Sequence, residues 1–359
     1  MIGPLRHCTL AIDPGTTRTR VWLKGSGLVV DEPSLAAVDM RTGELIAAGA
    51  LAARMAGRTS EHIRVTRPFS GGGIDDATMG AMVLRTLLGD RLGERIRTVW
   101  RRQARPRAAV AVPYGLGPMP RQALLQAFAG AGLRDVEFVE APLLAAVGSG
   151  LPVQHPEAAM VVICGATLTQ VAVLSLGGVV AGEVIPVGGD HMDQALYEHL
   201  RHCHELMLPH QGLLPLHGAL VETAGQRPRG HAEVHGKDVT SGLARSVRLG
   251  TEEFEQALRE PLAAVVGGIG RLLRGCPPDL VVDIAERGIV LTGGSAVVPG
   301  LEALLGEATG MPVHVVEEPE LAVIRGLGTL IESSEPPRGP AEDAEEPRTD
   351  SELVEGRSC

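Results

Sequence analysis

A chain of 359 residues, 44% hydrophobic and 21% charged, is too long for one comfortable core and the right size for two. Its formal net charge of −10 argues against a dedicated nucleic-acid binder, which carries a basic footprint. Aromatic residues are only 2% of the chain, so its cores are built of Val, Leu, Ile and Ala, as in parallel or mixed sheets covered by helices.

The first β-rich run, Cys8-Thr-Leu-Ala-Ile-Asp13, enters a small-residue turn at Pro14-Gly-Thr-Thr17 and continues as Thr19-Arg-Val-Trp-Leu-Lys24. A third strand, Leu28-Val-Val30, follows the turn Gly25-Ser-Gly27. Gly71-Gly-Gly-Ile-Asp-Asp76 lacks the Gly-Lys-Ser/Thr of a phosphate-binding P-loop and reads as a hinge turn. A helix is expected from Ala77 to Leu88. The basic stretch Arg97 to Arg107 surrounds Trp100, and Trp100, Arg101 and Arg102 suit contact with an anionic bilayer surface. The alternative is a solvated basic loop with Trp100 tucked against the body. Ala108 to Pro113 reads as a buried strand, Arg121 to Ala131 as a helix ended by Gly132, Val136 to Val139 as a strand, and Pro142 to Gly148 as a small-residue helix.

The opening design then recurs. Met160-Val-Val-Ile-Cys-Gly-Ala-Thr167, Thr169 to Leu176, the turn Gly177-Gly178 and Val179-Val180 repeat strand, turn, strand, Gly turn, strand, with Ile163 in the place of Asp13. A repeat at this distance marks a duplicated domain, not a solenoid. Among His199, His202, Cys203, His204 and His210, helical spacing puts His199, His202 and Cys203 on one face, a candidate soft-metal site without CxxC or HExxH support. Thr251 to Leu273 is helical in pattern, with Thr251 as its N-cap and Pro261 expected to kink or break it. Arg287 to Ser295 is a strand running into a Gly turn, Leu301 to Ala308 a helix, and Val313 to Val316 a last strand. Residues 333–359 are rich in Pro, Glu, Asp, Arg and Ser and read as a disordered acidic tail. The five cysteines (Cys8, Cys164, Cys203, Cys276 and Cys359) show no paired spacing, which suits a reducing compartment. No signal-peptide pattern or 18-residue apolar run is present, so a cytoplasmic location is expected.

Asp13-Pro-Gly-Thr-Thr17 resembles the first phosphate loop of the actin, heat-shock chaperone and sugar-kinase superfamily, and Leu291-Thr-Gly-Gly-Ser-Ala296 its adenosine loop. Longer stretches narrow the resemblance to the MreB/Mbl family of bacterial actins, the rod shape-determining proteins. They are Gly25 to Ser34, Val112-Pro-Tyr-Gly-Leu116, Ser175 to Val180, Val187 to Asp193, Pro277-Pro-Asp-Leu280 and Arg287 to Gly294. The resemblance runs in order from Leu10 to Glu332. It implies an α/β, actin-like (ribonuclease H-like) duplicated fold of two lobes with a nucleotide cleft between them. The first lobe would span 1–150 with a small insertion at about 34–70, the second 151–332 with a small subdomain at about 190–250.

The resemblance further implies ATP and Mg2+ as cofactors. Asp13 would position the hydrated metal. Gly15, Thr16, Thr17, Gly165, Thr167, Gly188, Gly189, Asp190, Gly293, Gly294 and Ser295 would line the nucleotide. A turn such as Gly15-Thr16-Thr17 can point successive N–H groups at a phosphate. The family pattern of the second loop, Asp-Ile-Gly-Gly-Gly-Thr-Thr-Glu, stands here as Ile163-Cys-Gly-Ala-Thr-Leu-Thr-Gln170, so the second metal-facing carboxylate is replaced. The slot that positions the attacking water is Ala141 in Val139-Glu-Ala-Pro142, so no catalytic residue is assigned. The ribose- and adenine-contacting slots fall at Leu214 and His217. Weak ATP binding at best, and slow or absent hydrolysis, are expected. The implied function is a cytoskeletal filament protein at the inner face of the cytoplasmic membrane that determines cell shape by organising wall synthesis. Its partners would be itself, or a related bacterial actin in a co-polymer, and wall-synthesis membrane proteins. The alternative is an active ATPase whose cycle drives assembly and disassembly, with Thr167, Thr169 or Gln170 holding the water.

Overall fold

The computed structural model of the chain describes residues 5, 7–102, 106–208 and 232–333. The first half runs β1 (Cys8–Pro14), β2 (Arg18–Leu23), β3 (Gly27–Pro33), β4 (Ala36–Asp39), β5 (Leu45–Ala48), α1 (Ala50–Met55), β6 (Ile63–Thr66), β7 (Phe69–Ser70), β8 (Gly73–Ile74), α2 (Ala77–Arg102), β9 (Arg107–Val112), α3 (Pro118–Gly130), β10 (Asp135–Glu140) and α4 (Ala141–Gly148). The second runs β11 (Ala159–Cys164), β12 (Thr169–Ser175), β13 (Gly178–Ile185), α5 (Gly189–Cys203), β14 (Leu206–Met207), β15 (Ala232–Asp238), β16 (Ala244–Leu249), α6 (Thr251–Gly275), α7 (Pro278–Arg287), β17 (Ile289–Thr292), α8 (Leu301–Thr309), β18 (Val313–Val315) and α9 (Ala322–Glu332).

The duplication is complete at the level of topology. One sheet has the order β10-β9-β1-β2-β3 and the other β18-β17-β11-β12-β13. In each, the first three strands in sequence form an antiparallel meander, and the later two add in parallel on the other side. Asp13 pairs with Arg20 across β1 and β2, and Ile163 with Gln170 across β11 and β12, so the hairpins superimpose position for position. Small three-stranded sheets, β5-β4-β6 and β14-β15-β16, branch from the two halves.

Strand alternation sends Leu10, Ile12, Val21 and Val30 to one face of the first sheet, where Leu84 and Leu88 of α2 and Leu124 and Phe128 of α3 cover them. The opposite face, through Ala11, Ala109 and Ala111, receives Ile324, Leu327 and Ile331 of α9, the last helix among the described residues. The mirror arrangement holds in the second half. There Val161, Ile163, Ala172 and Leu174 are covered by Ala141, Ala145 and Ala146 of α4, which precedes that sheet. The two halves thus exchange helices, and α4 and α9 cross at Gly148 and Gly326. A Cβ on either glycine would overlap the backbone of the facing helix.

Three local expectations change. Helix α2 does not stop at Leu88 but runs to Arg102, because it meets no proline and the interior glycines Gly89 and Gly93 cost only about 1 kcal/mol each. Pro261 does not break α6. The buried stripe Phe254, Leu258, Leu262, Val265, Ile269 and Leu272 holds the helix continuous through it, and the N-cap is Gly250, with Thr251 the first helical residue. Helices α7 and α9 stand where no helix was expected. α7 opens on Pro278, whose fixed φ and missing N–H suit a first turn. No helix among the described residues is long and apolar enough to cross a membrane.

Candidate functional site

The turns of the two equivalent hairpins, Gly15-Thr16-Thr17 and Gly165 to Leu168, face each other in a cleft of about 560 Å3, a volume suited to a nucleotide-sized ligand. Of the residues marked in the sequence, Asp13, Gly15, Thr16, Thr17, Gly165, Thr167, Asp190, Gly293, Gly294 and Ser295 line it, as do Ala141 and Ile163. Gly188 and Gly189 lie behind the second turn. Gly189 N donates to Gly165 O at 2.9 Å and Asp190 N to Ala166 O at 2.7 Å, which fastens the start of α5 to the hairpin. A Cβ on Gly188 would lie 2.6 Å from both carbonyl oxygens, so only glycine fits there.

The adenosine-type loop is held as tightly. Gly293 has φ 93°, and a Cβ there would strike the Cys164 backbone. Its N–H donates to Pro319 O at 2.9 Å. Ser295 is committed to structure: its N–H donates to Cys164 O at 3.0 Å and its hydroxyl to Gly165 O at 3.1 Å. Gly294 has open space before it, the nearest atom to a Cβ there being Glu320 Cβ at 3.9 Å.

Several bonds cross the cleft. Thr16 Oγ1 and Thr167 Oγ1 are 3.2 Å apart, and Gly71 N donates to Thr167 Oγ1 at 3.2 Å from the β7–β8 turn. Tyr114 N donates to Gln170 Oε1 at 2.9 Å. Arg67, nearly buried, places Nη1 2.7 Å from Asp190 Oδ2. Asp190 is therefore already partnered by a cation from the first half of the chain.

The charge at the cleft floor differs from what a metal-centred site needs. Burial pushes the Asp13 carboxyl pKa above its ordinary range; Arg20 pulls it down and Asp31 adds to the rise. Across the cleft, Ile163 and Ala141 belong to one buried apolar cluster with Ala145, Ala172 and Leu174, only 6% and 7% exposed. Mg2+ takes oxygen ligands and keeps most of its waters. Opposite Asp13 it would meet an isoleucine, and beside Asp13 the Arg20 guanidinium. These residues do not fit the ion. Glu140, next to the water slot, is turned away and accepts from Gly115 N at 3.0 Å.

Arg18, Arg20 and Arg67 were not marked in the sequence as site residues. A signal existed for the first two: in a strand flanked by buried residues, Arg18 and Arg20 alternate onto the face that carries Asp13. Arg67 is brought to Asp190 by tertiary packing alone. Asp76, at the end of the expected hinge turn, caps α2, accepting from Thr78 N at 2.8 Å and Met79 N at 3.0 Å. Gly71 and Gly72, both with positive φ, make the β7–β8 turn.

The His/Cys face is corrected. His202 turns its Nδ1 back to Glu198 O at 2.7 Å and leaves the cluster. His199 and His204 instead converge through Nε2 on Glu253 Oε1 of α6, His199 at 2.7 Å, while Cys203 Sγ lies 3.7 Å from His199 Nδ1. Helical spacing alone could not show Glu253, which is 54 residues from His199. Trp100, Arg101 and Arg102 fall in the last turn of α2, and their side chains lie outside the described residues. Leu214, His217, His210 and the tail from residue 334 lie outside them too.

The MreB/Mbl protein family matches residues 7–338, nearly the whole chain. The chain belongs to the MreB/Mbl family. It is 36% identical over 328 residues to the cell shape-determining protein MreB of Escherichia coli K12, covering 90% of this chain and 93% of that protein. It is 30% identical to the cell shape-determining protein Mbl of Bacillus subtilis, covering 90% and 96%. In fold it is similar to MreB5 of Spiroplasma citri bound to ADP, with a TM-score of 0.80, 24% identity, and coverage of 88% of this chain and 94% of that one. The expected actin-like, two-lobed α/β fold is therefore the fold of this MreB/Mbl member, and the cleft lies between its duplicated sheets.

Proposed function

We propose that this chain is a cytoskeletal filament subunit of the cell-shape kind, with a cleft that takes nucleotide weakly and hydrolyses ATP slowly or not at all. The family and its cell shape-determining relatives support the cytoskeletal role. One observation carries the weak-hydrolysis reading: Ile163 and Ala141, the slots for a metal-facing carboxylate and a water-positioning carboxylate, share one buried apolar cluster. Phosphoryl transfer depends on a positioned nucleophile and on stabilised charge. A water beside these two apolar side chains has no carboxylate there to orient or deprotonate it. The cleft residues for the nucleotide would be Gly15, Thr16, Thr17, Thr167, Gly294 and the backbone around them.

The filament would be a head-to-tail polymer of this chain or a co-polymer with a related bacterial actin. It would lie at the inner membrane face with wall-synthesis proteins as partners, its lobes dividing near residue 150. The test is sedimentation and electron microscopy of the purified chain without nucleotide, with ADP and with ATP, alone and mixed with a co-expressed bacterial actin, alongside steady-state phosphate release. Filaments with negligible phosphate release are expected. No polymer under any condition would overturn the filament role, and steady phosphate release abolished by Asp13→Ala would overturn the weak-hydrolysis reading.

A further inference from the structure

Asp190, Asp31 and Asp13 each lie beside an arginine. Asp190 takes Arg67 Nη1 at 2.7 Å. Asp31 takes Arg18 through Nε at 2.5 Å, and its backbone carbonyl takes Arg18 Nη2 at 2.8 Å. Asp13 stands directly across from Arg20, which in turn stands directly across from Asp31 on β3, a single row of acid, base, acid on one face of the sheet. A divalent cation would have to displace an arginine to reach Asp190 or Asp31, and at Asp13 it would meet the charge of Arg20 on the neighbouring strand.

Arg20 itself is unusual. Its side chain is 8% exposed, it lines the cleft, and its buried Nε has no hydrogen-bond partner. Asp31 Oδ1 forms an ion pair with that nitrogen at 3.3 Å but no hydrogen bond, and it pairs with Arg18 Nε as well, at 2.5 Å. A buried donor left unpaired costs as much as a lost hydrogen bond, and more on a charged group. An arginine held there in spite of that cost, in a cavity between two phosphate-type turns, has the chemistry of an anion receptor. Guanidinium forks match phosphate oxygens in plane and in spacing.

On the equivalent hairpin, the residues in the places of Asp13 and Arg20 offer a metal little in exchange. Ile163 is apolar, and Gln170 Oε1, on the equivalent strand, already accepts from Tyr114 N. Mg2+ needs near-octahedral oxygen ligands and gives up its water reluctantly. A fixed guanidinium beside the carboxylate it would use repels it further.

We propose that Arg20 supplies, from within the chain, the positive charge that a divalent cation would otherwise bring, so that the cleft takes a nucleoside polyphosphate as the metal-free anion. The inference rests on the nucleotide reading above. It makes Arg20 a ligand-binding residue, flanked on one face of the sheet by Asp13 and Asp31. It also fits Ala141 standing in the water-positioning slot: the site neutralises phosphate without activating it.

The experiment is calorimetric titration of the full chain with ADP and with ATP, once in EDTA and once in excess Mg2+. Binding in EDTA at least as tight as in Mg2+ is expected, because complexing the phosphates with a cation removes charge that Arg20 would use. Arg20→Met, checked for folding by circular dichroism, should weaken binding in EDTA about ten- to a hundredfold, the scale of a charge-assisted hydrogen bond, and Arg20→Lys should recover part of the loss. Binding that appears only with Mg2+, or tightens tenfold with it, overturns this inference and leaves the nucleotide reading standing. Binding in neither condition overturns both. A folded Arg20→Met that binds like the parent chain in EDTA removes Arg20 from the site.

Discussion

The hydroxyls of Thr16 and Thr167 lie 3.2 Å apart, so the tips of two hairpins separated by about half the chain are joined by one hydrogen bond across the cleft. Thr167 also accepts from Gly71 N, so it ties three segments together. Thr16→Val should cost about 0.5–1.5 kcal/mol and Thr167→Val about 1–2 kcal/mol, since the latter also strips an acceptor from Gly71. A double-mutant cycle in urea should show coupling of about 0.5–1 kcal/mol between them. Strict additivity would mean that the bond contributes nothing to holding the cleft closed.

The crossing of α4 and α9 sets a sterically strict requirement. A Cβ on Gly148 would overlap Ala322 O, and one on Gly326 would overlap Leu144 O. Both atoms are helix backbone, which cannot rotate away as a side chain can. Gly148→Ala or Gly326→Ala should therefore cost about 3 kcal/mol or more, at the upper end for overpacking, and lower the midpoint of denaturant unfolding. An unchanged midpoint for either would mean that the helices do not cross this closely.

Thiol reactivity should separate the cysteines by burial. Burial pushes the Cys8 thiol up to about 11, with Glu137 adding to the rise, and the Cys164 thiol up to about 12 against a hydrogen bond from Thr169. Cys203 is exposed. Iodoacetamide at mildly alkaline pH should alkylate Cys203 within minutes and leave Cys8 and Cys164 untouched until the chain is unfolded. Peptide mass mapping reads the result, and early modification of Cys164 would contradict its place behind the second hairpin.

Asp238 closes the β15–β16 turn, and its pKa is held down to about 2 by the N–H of Ser241, then by Arg245 and the Ser241 hydroxyl. The folded value lies below that of an unfolded aspartate near ~3.9, so the ionised carboxylate stabilises the fold above that pH. The contribution falls away as pH drops from there through about 2. The melting-temperature gap between the parent chain and Asp238→Asn should be constant at neutral pH, narrow in acid and close near the lower value. A gap that persists in strong acid would assign the difference to packing instead.

Trp100, Arg101 and Arg102 end the helix α2. If they meet an anionic bilayer, each arginine adds about 1 kcal/mol of surface attraction. Flotation with vesicles rich in phosphatidylserine should fall several-fold for Trp100→Ala and further for the Arg101→Ala, Arg102→Ala double variant. Equal flotation by all three proteins would exclude this segment as the contact.

What could be read from the sequence is what neighbouring residues decide together. The hairpins at Asp13 and Ile163 announce themselves by strand alternation around a small-residue turn, and their repetition implies the duplicated fold. The replacement of the two carboxylates that the family resemblance implies is likewise visible as Ile163 and Ala141, because it is a matter of which side chain occupies a slot. Tertiary structure alone shows that these two side chains belong to one buried cluster, that α4 and α9 change sheets, and that Arg67 reaches Asp190 from the other half of the chain. The same holds for His204 and Glu253, and for the continuity of α6 through Pro261, where buried stripe outweighs local propensity. Arg20 stands at the boundary: alternation places it opposite Asp13, but only the packed cleft shows that its guanidinium is shut away from water, with an Nε that meets Asp31 in an ion pair but makes no hydrogen bond. Propensity and turn chemistry act over a few residues. Burial and charge pairing act over distances that only the folded chain brings within a few ångströms.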